Sequence, residues 1–162
     1  MSHEFDVKCL YRSEMITATI NVTQIERGEN LLEYRDSIES WSDKDTLLFV
    51  SFCKLRKHLK EREKILLCKG CRRNVHPSGF QLPWMYALVL TKGKRVDWVK
   101  DKVLIFDEEP ELDQIVSVEE QEKFYQEWWQ SVMGNSIDQI SFGTRILSFF
   151  SSLKNIFKKG AK

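Results

Sequence analysis

Phe5, Val7, Cys9 and Tyr11 alternate with polar residues, and Ile16, Ala18, Ile20 and Val22 repeat the pattern after Ser13-Glu14. Only an extended strand sends every second side chain to the same face. Two such runs across a short break therefore predict an antiparallel hairpin with one buried face. That face must be covered, so the rest of the chain is read for what can cover it.

Leu48, Phe52, Leu55 and Leu59 recur at steps of four, three and four, the spacing of an amphipathic helix, with Asp43 or Asp45 placed to cap it. Ser117 and Glu120 form a capping box that opens a second helix carrying Val118, Tyr125, Trp128, Trp129 and Val132. Leu31, Leu32, Tyr34 and Ile38 predict a further helix over Asn30 to Trp41. Lys64 to Cys68 suits a short strand. Trp84–Thr91 and Val96–Phe106 suit a second hairpin around Lys92-Gly93-Lys94, joined to the first in one sheet. After Gly134 a helical stripe of Phe142, Ile146, Phe149, Phe150, Leu153, Ile156 and Phe157 runs into Lys158, Lys159 and Lys162. Strands and helices without βαβ alternation predict an α+β fold. We expect a mostly antiparallel sheet packed by several helices, with a C-terminal amphipathic helix. Residues 1–133 are expected to form one domain, with 134–162 as a docked tail. Contact of that tail with a membrane surface or a partner groove stays open.

At 162 residues, with 42% hydrophobic and 30% charged residues, the chain has the means to bury a core, which excludes a wholly disordered protein. A net charge of +1 names no partner, so only local charge can. The first residues lack the basic and apolar segments of a signal peptide, and the apolar runs are too short to span a bilayer. The expectation is a cytoplasmic chain with reduced thiols.

Reactive residue types gather between Leu66 and Phe80. Cys68 and Cys71 form a C-x-x-C, with His76 five residues on and Cys9 and Cys53 upstream. Zinc needs about four ligands, and no second pair stands at the usual spacing, so no metal is expected. A thioredoxin-like motif would open a helix, whereas Pro77, Gly79 and Pro83 mark a loop. Ser78 lies in His-Pro-Ser-Gly rather than in a nucleophile elbow. A small hydrolase or thiol enzyme using Cys68–Ser78 is therefore an alternative, not the expectation. No catalytic residue and no cofactor is assigned.

Two charged stretches remain. Lys54 to Arg73 holds nine Lys or Arg against Glu61 and Glu63, but it lacks interleaved base-stacking aromatics, so nucleic acid is the disfavoured partner. Asp107 to Glu122 holds eight carboxylates and no Lys or Arg. Glu119 and Glu120 suit the positive end of their own helix, but Asp107, Glu108, Glu109, Glu111 and Asp113 flank Pro110 in a loop. Such a loop can attract a basic protein, and these five acids are the candidate partner-binding residues.

The stretch Leu67–Gly79, with Val103-Leu104-Ile105-Phe106-Asp107 and Val118–Trp128, resembles a group of small bacterial immunity proteins of contact-dependent and polymorphic toxin systems. The resemblance covers Arg35 to Ser131. It implies a cytoplasmic protein without catalysis of its own that binds and blocks one cognate toxin, usually a nuclease. It assigns no individual residue.

Overall fold

The computed structural model describes residues 1–77 and 85–134. The opening alternation becomes β1 (Ser2–Tyr11) and β2 (Glu14–Gln24), paired antiparallel from Ser2↔Thr23 to Tyr11↔Glu14. The turn sits at Arg12 and Ser13, both at positive φ (46° and 72°), the twist that two-residue hairpin loops require. Val7, Cys9, Ala18, Ile20 and Val22 are buried, as the alternation predicts.

The segment expected as a helix over Asn30–Trp41 is instead two strands, β3 (Asn30–Arg35) and β4 (Ser40–Asp45). Asn30, Leu32 and Tyr34 are buried at a period of two. Between the strands, the Asp36 carboxylate accepts the backbone N–H groups of Ile38 (2.7 Å) and Glu39 (2.8 Å), which closes a turn and stops any helix. Helix α1 (Leu48–Lys60) follows, with Asp45 accepting the Leu47 N–H at 3.0 Å just before it. Strand β5 (Lys64–Leu66) then returns to β1, giving a five-stranded antiparallel sheet in the order β4-β3-β2-β1-β5.

The second hairpin forms but does not join this sheet. β6 (Val75–His76), β7 (Tyr86–Val89) and β8 (Lys102–Leu104) make a separate antiparallel sheet in chain order. Its middle connection is long, running from residue 90 to 101 rather than turning only at Lys92-Gly93-Lys94. Helix α2 (Val118–Met133) opens on the expected capping box, the Glu120 N–H donating to Ser117 Oγ at 3.2 Å and the Ser117 N–H to Glu120 Oε2 at 3.0 Å. Among the described residues there are two α-helices where several were expected, because β3 and β4 take the place of one. The C-terminal helix and its docking lie outside the described residues.

One cluster of buried side chains joins both sheets and both helices. Phe52 of α1 meets Phe106 edge-on at 5.7 Å, Phe106 meets Phe5 of β1 at 4.8 Å, and Phe49 meets His76 of β6 at 5.6 Å. No described helix is long and apolar enough to cross a membrane.

Candidate functional site

The two stretches with opposite chemistry fold against each other. Residues 67–73 and 105–116 are laced together by backbone hydrogen bonds: Lys69 N–H to Asp107 O, Gly70 N–H to Ile105 O, Glu109 N–H to Leu67 O, Arg73 N–H to Gln114 O and Val116 N–H to Cys71 O. The close approach is possible because residue 70 is glycine. A Cβ there would stand 2.8 Å from a Phe52 ring carbon and 3.0 Å from both Cβ and O of Ile105.

Beneath the crossing lies a buried polar knot. Arg56 of α1 donates to Gln121 Oε1, to Val116 O (2.7 Å) and to Gly70 O (3.4 Å). The Gln121 amide in turn reaches Gly70 O, Arg72 O and Val75 O at 2.7–2.8 Å. A buried guanidinium is tolerated only when its donors are met in this way. Neither residue was singled out from the sequence. The available signal was a polar residue inside an apolar stripe, Gln121 among Val118, Tyr125 and Trp128.

Cys53, Cys68 and Cys71 sit around that knot, whereas Cys9 lies on β1 opposite Leu66. Cys68 and Cys71 are free, buried thiols with sulfurs 3.7 Å apart. Hydrogen bonding to Cys71 and burial push the Cys68 thiol up. Burial pushes Cys71 up as well, but the Cys68 hydrogen bond and the Arg56 charge outweigh it and draw the thiol below its ordinary range. Cys53 is pushed up to about 12 by burial. Among the described residues no three His, Cys, Asp or Glu side chains are placed to share a metal. His76 stacks on Tyr125 at 3.9 Å, and burial pushes it down to about 3, so it is neutral at ordinary pH. Ser78 lies outside the described residues.

The basic stretch is largely consumed by the fold. Lys54 meets Asp43 (2.8 Å) and Asp45 (3.3 Å), Lys57 meets Glu119 (2.7 Å), and Arg62 meets Glu39 (3.0 Å). Lys64 is buried against Asp36 and Glu39, and Tyr34 adds its hydroxyl to Asp36. Burial pushes Asp36 up, but hydrogen bonds from Lys64, Tyr34 and the turn's N–H groups hold it at about 2.

The five candidate acids divide. Glu109 is only 3% exposed, pairs with Arg72 at 3.3 Å and accepts the Glu111 N–H at 3.0 Å. Asp107 pairs with Lys69 at 3.4 Å and Glu108 with Lys8, all four at the surface. Glu111 and Asp113 are exposed, and no Lys or Arg among the described residues lies within ion-pair reach of them. A second open surface is the outer face of the five-stranded sheet. There, cross-strand rows such as Thr19-Arg35-Ser40 line a polar depression of about 210 Å³. No protein-family model matches the chain, and no curated protein matches it.

Proposed function

We propose that this chain is a non-enzymatic binding protein of the immunity type. It neutralises a basic cognate toxin, a nuclease, through the acidic segment 107–113. The observation that carries the reading is the exposed pair Glu111 and Asp113, which have no cation among the described residues and stand on a backbone tied to the cysteine loop. A fixed loop loses little conformational freedom on binding, and unpaired acids steer a basic surface toward it. Asp107 and Glu108 can exchange their surface lysines for the partner's cations, because exposed pairs of this kind are worth about 0–1 kcal/mol. Glu109 serves differently: its buried carboxylate holds the loop's shape.

The test is protection of bacteria that express a toxin encoded beside this chain's gene. Growth should depend on the chain. Glu111→Lys with Asp113→Lys should slow association with the toxin and weaken its salt dependence. An equally fast double variant would remove the loop from the interface. A chain that gives no protection, or whose partner is RNA or DNA, would overturn the inhibitor reading.

A further inference from the structure

The connection between β7 and β8 has a composition unlike any other exposed segment described. With Lys102, the first residue of β8, the stretch from Lys92 carries five Lys or Arg against two Asp. Every residue from Thr91 to Lys100 is exposed except Val96, which is partly so. At its tip, Val99 is 83% exposed and Trp98 47%. Leaving a large apolar ring and an isopropyl group side by side in water is unfavourable, so an apolar surface that covered the tip would be favoured.

The loop is held rather than loose. Helix α2 grips its first arm: Lys92 meets Glu127 at 2.6 Å, the Gly93 N–H donates to Ser131 Oγ at 2.8 Å, and the Trp128 indole N–H donates to Lys94 O at 3.0 Å. At the far end the Val89 N–H donates to Asp101 O at 2.8 Å. Both aspartates are used by the turn itself. Asp97 accepts the N–H groups of Val99 (3.0 Å) and Lys100 (3.1 Å), and Asp101 accepts that of Asp97 (2.8 Å). Lys94 and Arg95 have no ion-pair partner among the described residues, Lys100 is 83% exposed and reaches Asp97 only at 3.9 Å, and Lys102 lies over the Tyr86 ring.

We propose that this loop docks the protein on an anionic lipid bilayer, with Trp98 and Val99 entering the headgroup boundary and Lys94, Arg95 and Lys100 resting among the phosphates. Indole rings favour that depth, and each cation near an anionic leaflet adds attraction. A projecting tip that pairs an aliphatic side chain with one aromatic suits a membrane surface. Single-stranded nucleic acid favours grooves with several stacking rings. The inference is independent of the acidic segment and of the inhibitor reading.

The test is co-sedimentation of the full chain with vesicles of mixed phosphatidylcholine and phosphatidylglycerol, against phosphatidylcholine alone. Binding is expected only to the anionic vesicles and should weaken with salt. Trp98→Ala and, separately, Val99→Asp should lower partitioning, the first by about tenfold or more. Lys94→Ala with Arg95→Ala should lower it about 30-fold, roughly fivefold per charge. Lys60→Ala with Arg73→Ala, which removes two exposed cations elsewhere, should leave it unchanged. Three results would overturn the proposal: no vesicle binding, equal losses in the Lys60/Arg73 control, or loop variants that bind as well as the parent. A single-stranded oligonucleotide bound through Trp98 in place of vesicles would also overturn it and assign the loop to nucleic acid.

Discussion

The chain has two basic stretches, and the fold treats them in opposite ways. Lys54–Arg73 holds more cations, yet α1, β5 and the cysteine loop place seven of its nine Lys and Arg against the chain's own carboxylates or carbonyls. Lys92–Lys102 is shorter and carries fewer, but its two aspartates accept the turn's own backbone N–H groups, and Lys94 and Arg95 face water with no ion-pair partner among the described residues. Charge density along a sequence therefore says little about partners. What decides is whether the fold brings complementary groups to meet the charge.

The largest effect expected from this contrast is at Lys64. Removing one member of a buried ion pair leaves the other charged and poorly solvated, at a cost of about 3–5 kcal/mol. Lys64→Met should lose that much in urea unfolding, because the Asp36 carboxylate is fully buried beside it. Adding Asp36→Asn should recover part of the loss. A Lys64→Met variant as stable as the parent would mean that this pair does not hold the sheet to β5, and the comparison would break at its first stretch.

Next in size is a pH effect at the end of the cysteine loop. His76 has its pKa lowered from 6.5 to about 3, chiefly by burial against Phe49 and Tyr125. The unfolded chain therefore takes up a proton below about pH 6.5 that the folded chain refuses until about pH 3. Stability from this group is complete above pH 6.5 and falls as pH drops through that window, by at most about 1.4 kcal/mol per unit. Unfolding measured at pH 7 and 5.5 should show the drop, and His76→Gln should flatten it. An equal slope in the variant would assign the acid sensitivity to other groups.

These cases also mark what could be read from the sequence. The first hairpin, α1 and α2 were legible because their periodicity runs for ten residues or more and, in α2, begins at a capping box. Strands β3 and β4 were not. Leu31, Leu32 and Tyr34 suit either period over so short a span, and the deciding cue was the ability of Asp36 to close a turn. The acidic segment was legible as a surface feature but its internal partners were not, since Lys8 and Glu108 lie a hundred residues apart. Pairings across that distance follow from topology rather than local pattern. The same holds for Arg56 and Gln121, and for two hairpins that settle into separate sheets.

An effect of comparable size is expected at Gly70, where residues 67–73 and 105–116 cross. Alanine there would press on Phe52 and on the Ile105 backbone, and overpacking of this kind costs about 1–3 kcal/mol. Gly70→Ala should lower the urea midpoint by that amount. It should also raise hydrogen exchange at the Gly70 and Glu109 amides, which bond across the crossing. A neutral substitution would mean the segments part easily, and the acidic run would then be displayed less firmly than the inhibitor reading needs.

The smallest effect sharpens the comparison most, because it sets surface cations of the two stretches side by side. Lys57→Glu would place a carboxylate against Glu119, its ion-pair partner at 2.7 Å. Loss of a partly exposed pair plus new repulsion should cost about 1 kcal/mol. Lys94→Glu with Arg95→Glu reverses two charges, yet should shift unfolding by no more than about 0.5 kcal/mol, because no carboxylate in the described fold is paired with either. Parallel urea titrations of the two variants decide it. If the double loop reversal destabilises the protein more than the single helix reversal, the loop's cations belong to the fold after all. The distinction between charge that folds the chain and charge held ready for a surface would then disappear.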